Sequence, residues 1–103
     1  MERVDAPRTR LMGLRAIMDG RGAGAAILTR AENVAFLSGE GRGALIVTAS
    51  ACVRVAVPDL PGRLARLTGE GRRIGFDADE PPEGVAEAIS LAADMDRLRA
   101  AAS

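Results

Sequence analysis

Asn33-Val34-Ala35-Phe36-Leu37-Ser38-Gly39 decides how this chain is read. Apolar and polar residues meet here with the period of neither a clean helix nor a clean strand. A short apolar run, Ala25-Ala26-Ile27-Leu28, precedes it. A glycine-rich turn, Gly39-Glu40-Gly41-Arg42-Gly43, and then a β-rich run, Ala44-Leu45-Ile46-Val47-Thr48, follow it. The stretch therefore reads as a junction between two strands. Asn33 is expected to cap a single helical turn. Phe36 and Leu37 are expected to point inward from that turn, and Gly39 to release the chain beyond it.

Outward from the junction, the flanking apolar runs predict strands over 25–29 and 44–48. Residues 52–57 predict a third strand, paired with the second as an antiparallel hairpin through Ala49-Ser50-Ala51. Val53, Val55 and Val57 share one of its faces; Cys52, Arg54 and Ala56 share the other, so one face is buried and the other partly exposed or at an edge. Leu11, Leu14, Ile17 and Met18 form one apolar stripe, which predicts a helix over 6–18. Asp5 is its expected N-cap and Asp19-Gly20-Arg21-Gly22 its expected end. Leu60, Leu64 and Leu67 predict a short helix over 59–67, closed by Thr68-Gly69-Glu70-Gly71. A short strand over 73–77 follows, then an acidic, proline-rich turn. The alanine-rich remainder predicts a helix over 83–102, broken near Ala93-Asp94. Its stripe is Val85, Ile89, Ala92, Met95 and Leu98, assigned to covering the sheet in preference to a dimer seam. The sum is an α/β fold, a mixed β-sheet flanked by helices, with residues 1–103 as a single domain.

Composition narrows the chemistry. The only aromatic residues are two Phe, so the core is aliphatic. Fourteen Arg, with no Lys, balance fourteen acidic residues. That balance argues against general nucleic-acid binding, which needs a basic surplus on one face. Cys52 is the one cysteine, so an internal disulfide is impossible. No run approaches the roughly 18 apolar residues of a membrane span, and the first residues lack a secretory core segment. A cytoplasmic protein is the expectation. The chain has no histidine, which removes Ser-His-Asp and Cys-His catalysis, His-ligated zinc and imidazole acid–base chemistry.

The remaining candidate groups each have a functional and a structural reading. The 39–43 turn could hold an anion through backbone N–H groups, with Glu40 and Arg42 as its candidate binding residues. It precedes a strand, however, where phosphate loops open a helix, so a hairpin entry is preferred. Asp77, Asp79, Glu80 and Glu83 could hold Mg²⁺ or Ca²⁺; acids gathered ahead of a helix are the preferred reading. Cys52 reads as a small strand residue. Ser38 and Ser50 read as turn residues. Arg63, Arg66, Arg72 and Arg73 read as solvated ends in preference to an anion patch.

The same stretches, taken in order, carry a family likeness. The chain resembles the N-terminal domain of the creatinase, prolidase and aminopeptidase P family, the pita-bread metallopeptidases. Asn33-Val34-Ala35-Phe36-Leu37-Ser38-Gly39 is similar to that family's Asn-Ile-x-Tyr-Leu-Thr-Gly segment and is the most specific of the matches. Arg10-Leu11-Met12-Gly13-Leu14-Arg15-Ala16-Ile17-Met18 resembles its opening helix. Gly24-Ala25-Ala26-Ile27-Leu28-Thr29 resembles its first strand, and Arg73-Ile74-Gly75-Phe76-Asp77 its Ile-Gly-x-Glu strand. Asp96-Arg97-Leu98-Arg99 resembles the run that leads into the catalytic domain. The chain departs from the pattern where Glu40 replaces an aromatic residue and where Pro58-Asp59-Leu60-Pro61 replaces an Asp-x-Arg-Tyr type sequence. The stretch beyond Phe76 also looks short for a terminal strand.

The resemblance implies a ribonuclease H-like motif in the sheet. It also implies an accessory half without catalytic or metal-binding residues, since the family's two Asp, one His and two Glu belong to a C-terminal domain. Asn33, Phe36, Leu37 and Gly39 are then a structural motif. No cofactor is expected. The expected partner is protein, either a second copy in a homodimer or a metallopeptidase catalytic domain.

Overall fold

The structure, a computed structural model, describes residues 2–68, 73–85 and 87–102, with the side chains of Leu67 and Thr68 left aside. In chain order the elements are strand β1 (Glu2–Arg3), helix α1 (Arg8–Arg21), β2 (Ala25–Leu28), α2 (Ala31–Ser38), β3 (Ala44–Thr48) and β4 (Cys52–Val55). A 3-10 turn (Val57–Asp59) then leads into α3 (Leu60–Thr68), followed by β5 (Ile74–Phe76), β6 (Ala88–Ser90) and α4 (Ala92–Ala102). The strands make one six-stranded mixed sheet in the order β1-β4-β3-β2-β5-β6. From β1 to β2 every neighbour is antiparallel; β5 lies parallel to β2, and β6 parallel to β5.

Alternation along the strands sorts side chains between two layers. Ala26, Leu28, Leu45, Val47 and Cys52 face α1, α2 and α4, where Leu14, Met18, Val34, Leu37 and Met95 meet them. Ala25, Ile27, Ile46, Val55 and Ile74 face the other way, where Leu64 of α3 is their buried helical partner. Val53, Leu60 and Val85 pack around that second layer only half-buried, and Val57 beside it is 59% exposed. Among the described residues, one face is thus covered by three helices and the other by one short one.

Several expectations are corrected. Helix α1 starts two residues late, after Pro7, with no side-chain cap from Asp5. It runs on past Met18 to Arg21 and, as expected, stops at a left-handed glycine, Gly22, where Gly22 N–H donates to Asp19 O and Ala23 N–H to Met18 O. The helix expected over 83–102 is a strand and a shorter helix. Ile74 N–H donates to Glu87 O and Leu91 N–H to Phe76 O, so parallel pairing with β5 overrides the helical propensity of the alanines. The stretch beyond Phe76, which looked short for a further strand, thus holds β6. The apolar stripe drawn through Val85 to Leu98 divides accordingly: Val85 joins the α3 face, while Ile89, Met95 and Leu98 join the opposite layer. The close of α3 expected at Thr68-Gly69-Glu70-Gly71 lies, beyond Thr68, outside the described residues, as does Arg72.

Candidate functional site

The 33–39 stretch forms most of α2, an eight-residue helix between β2 and β3. A helix this short is unstable alone, and long-range contacts hold both of its ends. At its N-terminus stands Asp77, just past β5 and fully buried. Its Oδ1 accepts from Thr29 N–H at 2.8 Å and from Thr29 Oγ1 at 3.2 Å. Its Oδ2 accepts from Arg30 N–H at 3.1 Å and Asn33 Nδ2 at 2.9 Å. The carboxylate thus satisfies backbone donors at the start of α2 and complements the helix dipole there. At the C-terminus Arg10 of α1 donates through Nη1 to Phe36 O at 2.8 Å, with its guanidinium 4.5 Å from the Phe36 ring centroid. Gly39 then ends the helix at φ 82°, a left-handed conformation costly for any residue with a Cβ.

This places the sequence candidates. Asn33 is no cap: it lies inside α2, buried, with its amide turned onto Asp77. The capping position belongs to Arg30. Leu37 is fully buried, whereas Phe36 is half-buried under Arg10. Asp77 does not open a helix after itself. Its neighbour Asp79 pairs with Arg30 at 2.5 Å, and Asp77 serves α2 instead. No group of three or more His, Cys, Asp or Glu residues suited to a metal occurs among the described residues. Cys52 is buried, and burial pushes its thiol up from the ordinary cysteine value, against the lowering influence of Arg15 and Arg54. That disfavours the thiolate a nucleophile needs. Ser38 Oγ lies 2.7 Å from Val34 O and 2.8 Å from Glu40 O, within the turn.

Beyond α2 the 39–43 turn borders an open cleft of about 720 Å³. Arg42, Arg54 and Arg63 line it with the carboxylates of Glu2 and Asp59. Arg42 donates through Nε to Glu40 at 2.6 Å and through Nη2 to Glu2 at 3.1 Å; these hydrogen bonds raise its pKa, that to Glu40 most. Glu40 itself does not line the cleft. Its role in this arrangement is to hold Arg42. Arg54 was missed as a candidate, since alternation on β4 put it on a partly exposed face. It is in fact only 5% exposed, cross-strand from Leu45, and its Nη1 donates to the carbonyls of Arg42 and Glu40. The signal available in sequence was an arginine inside an apolar strand next to a glycine-rich turn.

A third polar group joins α1 to α4. Asp94, 8% exposed, takes two bonds from Arg21, at 3.0 and 3.1 Å, and one from Arg97 at 2.6 Å. The Arg21 hydrogen bond, ahead of a smaller contribution from Arg97 and against partial desolvation, holds its carboxyl below the usual carboxylate range. No helix among the described residues is long and apolar enough to cross a membrane. No family model, no curated protein and no solved structure matches the chain.

Proposed function

We propose that the chain is a non-catalytic interaction domain of the type found at the N-terminus of Xaa-Pro metallopeptidases. In this reading it contributes dimerisation or gating to a metallopeptidase site supplied by another domain. One observation carries the reading. The stretches that resemble that family meet at a single carboxylate: Thr29 ends the first-strand segment, Asn33 opens the most specific segment, and Asp77 ends the Ile-Gly segment. The opening-helix segment reaches the same helix through Arg10. The polar groups of these matching stretches are thus engaged in building the fold. The six-stranded mixed sheet with helices on both faces agrees with the ribonuclease H-like motif that the resemblance implies. The half-buried rim of Val53, Leu60 and Val85, with exposed Val57, supplies apolar surface for a partner. Incubation with Xaa-Pro dipeptides and Mn²⁺ or Co²⁺ is expected to give no turnover. Robust hydrolysis by this chain alone would overturn the reading.

A second reading, a small-molecule or anion-binding domain using the 39–43 turn, is favoured by the arginine-lined cleft beside that turn. Titration with small anions, followed by thermal shift, tests it.

A further inference from the structure

We infer that the cleft is a carboxylate site gated by Glu2, taking a small monocarboxylate with a short apolar tail. The inference rests on the second reading above and names its ligand class. It starts from Arg54. A guanidinium removed from water needs charge-matched partners; among the described residues, the hydrogen bonds of Arg54 go from Nη1 to carbonyl oxygens, and its one ion pair, to Glu2, is long. Its Nε is buried and makes no hydrogen bond; the nearest carboxylate oxygen is Glu2 Oε1, at 3.5 Å. The same Glu2 oxygen accepts from Arg42 Nη2 at 3.1 Å. The Glu2 carboxylate therefore stands between two guanidiniums with good geometry to one and poor geometry to the other.

Glu2 is also easily displaced. Its side chain is 56% exposed on the two-residue edge strand β1, so it can swing into water without disturbing the core. A ligand carboxylate entering in its place could bond Arg54 Nε and Arg42 Nη2 together, where guanidinium donors favour a planar two-oxygen acceptor. Arg63, at the other side of the cleft, has no ion pair among the described residues and adds positive charge. With Glu2 swung out, the lining keeps three arginines against Asp59, and Glu40 stays paired to Arg42, so one positive charge is left for a single negative ligand. Val55, Val57 and Pro58 form an apolar wall beside these donors, and the volume lies within the range of roughly 300–1,000 Å³ typical of ligand pockets. Charge and wall together select a carboxylate with a short apolar tail over phosphate.

The test is an NMR titration of the whole chain with 4-methylpentanoate, its neutral amide and inorganic phosphate, reading the Arg54 Nε–H resonance and the amides of Gly43 and Val55. The acid is expected to give saturable shifts that the amide does not. Glu2→Gln is expected to tighten binding at least threefold by removing the competing carboxylate, and Arg63→Ala to weaken it at least threefold. Both residues are surface-accessible, so neither variant depends on core repacking. Equal response to acid and amide, or unchanged affinity in Glu2→Gln, would overturn the inference. Saturable binding of phosphate alone would overturn it while leaving the anion-binding reading in place. No saturable shift with any of the three would remove both.

Discussion

Four donor groups of one strand–helix junction meet a single buried carboxylate at Asp77, so this residue holds the start of α2 in place. Removing the carboxylate leaves buried N–H groups without an acceptor, and each such loss costs on the order of 1–3 kcal/mol. Asp77→Ala is therefore expected to lower stability by about 3 kcal/mol or more in urea unfolding, a large part of the roughly 5–15 kcal/mol that holds a domain together. Phe36 is a different case. A fully buried Phe costs about 3–5 kcal/mol to truncate, but Phe36 keeps part of its surface in water and shares the rest with Arg10. Phe36→Ala is expected to cost about 2 kcal/mol, with a loss of under about 0.5 kcal/mol in the same melts marking the ring as uninvolved. The importance of the 33–39 stretch was legible in its sequence, as were the inward Leu37 and the stop at Gly39. The partner of Asn33 was not. It lies 44 residues away, and a buried aspartate leaves no local pattern to separate it from a solvated one.

Elements depend on two closer fits. On β5, a Cβ at Gly75 would stand 2.4 Å from Leu91 Cδ1 and 2.8 Å from its Cγ, so the strand passes Leu91 only because the side chain is absent. Gly75→Ala is expected to cost about 1–3 kcal/mol, the range for overpacking a filled core, read as a fall in the urea midpoint at unchanged slope. The α1–α4 contact depends on Asp94. Its carboxyl is held below the ordinary range when folded, so its contribution is fully present above the unfolded value of about 4 and is lost as pH falls through the lower folded value. Wild type is thus expected to lose more stability than Asp94→Asn between pH 5 and the acid limit of the fold, in urea melts at each pH. Parallel curves would show that the Arg21–Asp94 pair adds nothing. The hairpin, α1 and α3 could be read from period and turn chemistry, because their determinants are local. Strand β6 could not. Its Ala88-Ile89-Ser90 is stabilised by β5, a partner that no window around residue 89 contains.

For the whole molecule, the proposed role is contact with protein, made by a fold assembled around the Asp77 junction. Among the described residues the two layers differ in cover: α1, α2 and α4 lie on one face of the sheet, and α3 alone on the other, with apolar side chains left at its margin. The fold class followed from the succession of helical and extended patterns. The cleft did not, because Glu2, Arg42, Arg54 and Arg63 converge only once β1 pairs with β4 and α3 packs below. Sedimentation velocity addresses the claim most directly, run on the chain alone up to about 100 µM and on its mixture with a pita-bread metallopeptidase catalytic domain stripped of its own N-terminal domain. A faster boundary, from a dimer or from the complex, is expected in at least one of the two samples. A 10.7 kDa monomer boundary unchanged in both would contradict it.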